Sequence, residues 1–363
     1  MTGRLIRTAL RSALNGVRYV APVRPRAATG STAAVYRQLE HDFGMLAPPI
    51  ALHSPAPAVL AAAWTMLRES LVVTTSVSRV TKEAVAAAVS LGNACPYCVE
   101  VHSAALGGLH VGPESGALAA GELAGIADPG IRAVATWARE SGTRLGAAGR
   151  RRPFPAAHAP QLLGVAVAFQ YLNRMVHVFL GESPLPPQVP AGARGPADRF
   201  LGRFLRGPAL RGARPGESVA LLAPAPLAED LAWAAGDRHV AEAFGRAAAA
   251  VDGAARRSVP VTVRELVAAE LSDWDGEPAG LSRAWVEAPA LGLPAADRAA
   301  GRLALLVAKA AYQVDGETVE AYRRTQPADD ALIELVSWAA LAAARHAGGW
   351  LAGQEPDQVT HAA

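Results

Sequence analysis

Two cysteines three positions apart, Cys95 and Cys98, and a histidine four residues after the second, His102, lie in the stretch GNACPYCVEVHSAAL from Gly92 to Leu106. They are the only cysteines in 363 residues. Two are too few for a disulfide framework, and in a reducing compartment a CxxC pair serves redox or metal chemistry more often than bracing. Asn93 reads as a helix N-cap and Pro96 fits only a first turn, so the spacing predicts a helix from about Ala94 to Leu106. Positions 95, 98 and 102 then share one face. The positive end of the helix dipole favours a thiolate over a thiol in that first turn, and His102 stands one turn beyond Cys98, within proton-transfer reach. A thiolate of this kind attacks the O–O bond of a peroxide, becomes a sulfenic acid, and is resolved by the neighbouring thiol into a disulfide that an external dithiol reduces.

The element before the pair must supply whatever tunes the histidine. TKEAVAAAVSLGN reads as a helix capped by Thr81 and ended near Gly92, and so short a turn makes the two helices antiparallel neighbours. Counting back from the turn places Glu83 at ~15 Å and counting forward places His102 at ~12 Å, so the carboxylate falls opposite the imidazole. Alone, Glu83 would be a first-turn residue complementing the dipole; its register makes it a candidate to orient His102.

The same residues admit other readings. Cys95 and Cys98 would also suit a buried apolar contact, cysteine being among the most buried residue types. Zinc on Cys95, Cys98 and His102 needs a fourth ligand, which neither His110 nor Glu100 is clearly placed to supply. His177, in YLNRMVHVFL, is a candidate to line a pocket near the thiols, although a histidine at such a position is more often a satisfied core residue. Trp64 and Met66 read as core.

Glutamate, eleven residues, cysteine, two residues, cysteine, three residues, histidine is the pattern that Glu83, Cys95, Cys98 and His102 make. In this the sequence resembles the alkylhydroperoxidase D-like, or carboxymuconolactone decarboxylase-like, family over roughly residues 40 to 180. The resemblance implies an all-helical fold, a homo-oligomer and thiol-dependent peroxide reduction without a cofactor or metal. It implies Cys98 as the attacking thiol, Cys95 as the thiol that resolves it and meets an external dithiol or lipoyl-type reductant protein, and Glu83 and His102 as the proton relay. One position departs. The well-known peroxidase members carry a second histidine just before the second cysteine, and here that place is Tyr97, a phenol too weakly acidic to act as a base near neutral pH but able to donate a hydrogen bond. The decarboxylase branch works without the cysteine pair, which argues against that reaction.

The composition agrees with helices. Hydrophobic residues make up 51% and aromatics only 6%, and an alanine, leucine and valine mixture favours closely packed helices over sandwiched sheets. The fold class expected is all-α, with two tandem helical repeats. MLAPPIAL (45–52) is echoed by LLAPAPLA (221–228), VTKEAVAAAVS (80–90) by VTVRELVAAELS (261–272), and QLLGVAVAFQYL (161–172) by ALIELVSWAALA (331–342). The second copy lacks the thiols and the histidine, so Glu265, the counterpart of Glu83, has nothing to relay to. The division expected is a basic N-terminal arm at 1–35, a redox domain at 36–183, a Pro/Gly/Arg-rich linker at 184–215 and the degenerate repeat at 216–363. Within the linker, Phe200 and Phe204 alternate with arginines, which reads as a solvated helix touching the fold through its aromatic face.

Net charge is +3, with Lys82 and Lys309 as the only lysines, and no DNA-binding motif accompanies the arginines, so nucleic acid is not an expected partner. No apolar run reads as a membrane span and no segment reads as a secretion signal, which makes a cytoplasmic setting the expectation. Beside the peroxidase stand two other functions: a protein disulfide reductase or redox relay, and a non-catalytic redox sensor or scaffold.

Overall fold

Apolar residues recur at threes and fours along nearly the whole chain, and what they build is helical throughout. The computed structural model describes residues 13–148, 151–185 and 191–354, and among them there is no β-strand. The helices of nine residues or more are α1 Gly30–Gln38, α2 Pro57–Leu67, α3 Arg79–Gly92, α4 Pro96–Leu109, α5 Pro129–Arg139 and α6 Ala159–Phe179. After them come α7 Ala191–Arg211, α8 Arg238–Ser258, α9 Val261–Ser272, α10 Arg298–Ala310 and α11 Asp329–Ala352.

Helix α6 is the axis of the fold. Every residue along it except Arg174 and His177 is buried, and it packs against α3 on one side and α11 on another. By length and hydropathy it would also pass for a membrane span, contrary to the reading of the sequence, but the surface that would meet lipid is covered by its neighbours. Helix α8 lies along α2, and α11 lies along α6, so the two halves of the chain share one continuous apolar core from Leu14 to Leu351.

Two of the largest polar groups inside this core are paired. His53 is fully buried; its Nδ1 donates to the Ile50 carbonyl at 3.0 Å and its Nε2 accepts from the Tyr171 hydroxyl at 2.7 Å. Arg68 is equally buried and donates to Asp42 at 2.7 Å, Glu69 at 2.6 Å and Glu217 at 3.0 Å, tying the end of α2 to the chain that follows α7.

Two segments bear on the expected organisation. Arg4, Arg7 and Arg11 of the basic arm lie outside the described residues, as do 186–190 of the linker. Arg18 packs on the fold itself, donating to the carbonyls of His177 at 2.8 Å and Val178 at 3.2 Å at the last turn of α6, where the dipole favours a cation. Most of the stretch 184–215 is helix α7, despite Pro196 and Pro208 inside it, and α7 packs on α4 more extensively than any other two helices pack together. Glycine makes that approach possible: a Cβ on Gly202 would lie 2.2 Å from the Ala104 carbonyl oxygen, and one on Gly108 would lie 2.1 Å from the Gly202 oxygen.

Candidate active site

The turn between α3 and α4 sets the thiols in place. Ser78, not Thr81, caps α3, its hydroxyl accepting from the Thr81 N–H at 3.1 Å. The helix ends in a Schellman arrangement: the Cys95 N–H reaches the Ser90 carbonyl at 2.9 Å and the Ala94 N–H reaches Leu91 at 3.1 Å. Ala94 takes the left-handed conformation, φ +49°, that glycine usually supplies. Asn93 therefore closes α3 instead of opening α4. Its side-chain amide donates to Asn173 Oδ1 on α6 at 2.9 Å. Cys95 is the N-cap of α4, Pro96 follows at its first position, and Cys98 completes the first turn.

Running antiparallel, α3 and α4 bring the carboxylate to the imidazole as the count of residues required. His102 Nδ1 is 2.6 Å from Glu83 Oε2, and Arg79 Nε donates to Glu83 Oε1 at 2.7 Å. Glu83 is 0% exposed and His102 6%, so neither group is bathed in water. Burial alone would raise the Glu83 carboxyl, but the Arg79 guanidinium and the His102 ring, with their hydrogen bonds, outweigh it and hold the group below the usual carboxylate range. With Nδ1 engaged by the carboxylate, Nε2 is the nitrogen left to exchange a proton. The Phe169 ring meets the imidazole edge-on, centroids 4.6 Å apart, and fixes its plane.

The sulfurs behave differently from the expectation of a thiolate at Cys98. The Cys98 thiol is pushed well above the usual cysteine range, first by its hydrogen bond to Cys95, then by burial and by charge on Cys95; hydrogen bonds with Asn173 and Ser90 oppose this only in part. The physical reason is that two thiols in hydrogen-bond contact inside an apolar site resist ionising together, and burial adds to the cost, so Cys98 keeps its proton. His102 is not among these hydrogen-bond partners. It lies one helical turn away, about 5–6 Å between Cβ atoms, so a proton moving between imidazole and Cys98 crosses the space they share.

That space is a cavity of about 190 Å³ lined by Cys98, His102 and Tyr97 and otherwise almost wholly apolar. Its walls include Phe43, Leu67, Phe169 and Leu172 from the body and Phe200, Leu201 and Phe204 from α7. A single water needs only about 10–15 Å³ by a comparable measure, so the cavity admits a small organic molecule. The Tyr97 phenol is buried and keeps its proton, burial first and the neighbouring sulfurs second pushing it up. His177 does not line the cavity. Its Nε2 meets the Asn93 carbonyl at 3.0 Å, bracing the α3–α4 turn, and burial lowers its affinity for a proton. Among the described residues, no group of three or more His, Cys, Asp or Glu side chains is arranged to hold a metal ion.

Sequence reasoning missed Arg79, Ser90, Asn173 and the two phenylalanines as parts of this site. Arg79 and Ser90 were within reach, since they lie four residues before and seven after Glu83 and so share its face of α3. Asn173 gave only the weak signal of an amide inside an apolar helix. Nothing local announces that Phe200 and Phe204 close a cavity a hundred residues away in sequence.

Fold and site together define a class: an all-helical protein with a CxxC pair at a helix start, backed by a histidine and a buried glutamate from the preceding helix. The profile of the carboxymuconolactone decarboxylase family matches residues 58–140, the span from α2 to α5 that holds all four residues. Over 346 residues, 95% of this chain and 97% of the relative, the sequence is 37% identical to a protein of Mycobacterium tuberculosis (strain ATCC 25618 / H37Rv) named alkyl hydroperoxide reductase Rv2159c. The chain belongs to the carboxymuconolactone decarboxylase, or alkylhydroperoxidase D-like, family. No solved structure matches it.

Proposed function

We propose that the protein is a thiol peroxidase that reduces organic hydroperoxides. The observation that carries this is that Cys98 and His102 line one small apolar cavity while Cys95 lies outside it. Substrate entering that cavity meets Cys98 first. As Cys98 Sγ attacks the outer peroxide oxygen, its proton moves to Nε2 of His102 and the O–O bond breaks. The products are a Cys98 sulfenic acid and an alkoxide, which takes that proton back from His102. Glu83 and Arg79 hold the ring so that Nε2 faces this exchange. The Cys95 thiol then attacks the sulfenic sulfur, water leaves, and a Cys95–Cys98 disulfide remains for an external dithiol to reduce. The relative's name supports the same reaction. On this reading the second half serves as a degenerate copy whose α11 packs against α6, and the molecule works as a homo-oligomer.

Consumption of cumene hydroperoxide with dihydrolipoamide as reductant tests the proposal. Activity lost in Cys98→Ser supports it, and activity unchanged in that variant removes it. Turnover of protein disulfides with no peroxide consumed would replace it with a disulfide reductase.

A further inference from the structure

The two sulfurs open onto different spaces, and α7 stands between them. One face of this helix, Phe200, Leu201 and Phe204, walls the apolar cavity on the Cys98 side. Its opposite face, Arg199, Arg203 and Arg206, spaced four and three residues apart, lines a cleft of about 1410 Å³ in which Cys95 is a lining residue. Cys95 is only 1% exposed, so a reagent must enter the cleft to touch it; a flat protein face would not reach. The three arginines are exposed. The two carboxylates in the cleft are half-buried and already engaged, Glu100 by the Ser183 hydroxyl at 2.8 Å and Asp198 by a neighbour of its own. Three arginines against these two carboxylates leave the cleft with one positive charge in excess.

We propose that this cleft is the reductant site and that it selects a slender dithiol carrying an anionic group, which the α7 arginines draw toward Cys95. The proposal rests on the disulfide cycle described above but not on peroxide as its oxidant. In the step it serves, a thiolate of the dithiol attacks Cys95 Sγ, the Cys95–Cys98 bond breaks, and Cys98 leaves as a thiolate. The second thiol of the reagent then attacks the mixed disulfide and releases Cys95. Two electrons pass to the protein and the reagent leaves as its own disulfide. Helix α7 thereby separates an apolar substrate from a charged reductant, each with its own sulfur.

The test oxidises the full chain with diamide, removes the oxidant, and follows the return of free thiols with dihydrolipoate or with its neutral amide, dihydrolipoamide. At low ionic strength the carboxylate reagent is expected to be about tenfold faster. The ratio should shrink as salt shortens the reach of the arginines and approach one near 1 M salt, where that reach is about 3 Å. In Arg199→Glu/Arg203→Glu/Arg206→Glu it should fall below one, and in the matching glutamine variant close to one. Equal rates for the two reagents in the unaltered chain at low salt overturn the proposal, as does a preference that survives charge reversal. Because no peroxide is used, a chain that shows the preference yet consumes no hydroperoxide keeps this inference and loses the peroxidase. A chain that forms no disulfide loses both.

Discussion

Replacing Glu83 by glutamine changes one atom in the site and inverts the logic of the histidine. The carboxylate accepts from two donors, Arg79 Nε at 2.7 Å and His102 Nδ1 at 2.6 Å. Glutamine keeps the size but offers one acceptor and one donor. The guanidinium can only donate, so it retains the carbonyl oxygen, and the amide nitrogen turns to His102. The ring must then accept at Nδ1 and carry its proton on Nε2, the tautomer opposite to the one the carboxylate selects. A proton-transfer partner held in the wrong form is expected to cost about a hundredfold or more in peroxide turnover. The fold suffers less, because both hydrogen bonds survive; what is lost is the charge that balances a mostly buried Arg79. Breaking a buried pair outright costs about 3–5 kcal/mol, so about 2–3 kcal/mol is expected here by urea unfolding at pH 7. The difference has a pH signature. Glu83 holds its carboxyl below the usual range in the folded protein, so between the folded and unfolded pKa values the unfolded chain binds the extra proton. The advantage of the native residue is therefore full above the unfolded value of about 4.3 and is lost as pH falls through the folded one. Turnover within threefold of the native protein, or stability within about 0.5 kcal/mol of it, would refute the reasoning.

His53 is held neutral, burial lowering it from 6.5 to about 4. Between those values the unfolded chain binds a proton that the native one refuses, so His53→Gln should flatten an acid-side stability loss of about 3 kcal/mol, measured by denaturant titration from pH 7 to pH 4. Gly202→Leu should drive α7 from α4, since even a Cβ would sit 2.2 Å from a carbonyl oxygen; a cost of about 1–3 kcal/mol and faster labelling of Cys98 by a bulky maleimide are expected, and unaltered labelling would argue against α7 as the wall. Ala94→Gly relieves a left-handed backbone and should stabilise by about 1 kcal/mol in thermal unfolding. Arg68→Ala strands Asp42 and Glu69 inside the protein and should cost about 3–5 kcal/mol by the same measurement.

The helical architecture and the pairing of Glu83 with His102 were legible because both are local problems. Apolar spacing identifies helices, and two helices joined by a short turn meet at positions found by counting residues, whatever packs around them. The turn itself was read less well. Asn93 and Thr81 are good capping residues by type, yet Ser78 caps α3, and Cys95 caps α4 because Ala94 adopts the left-handed geometry that favours glycine and shifts that boundary.

What the sequence by itself determined is the fold class, the family and the register that unites two sulfurs, an imidazole and a carboxylate. Only the tertiary structure decided that Cys98 keeps its proton, which space each sulfur faces, and that a stretch read as linker forms the wall between those spaces. The reason is physical. Helical register is carried by bonds along the chain, whereas ionisation and access depend on what is packed nearby, here Ser90, Asn173 and α7, and those neighbours are assembled only when the chain has folded.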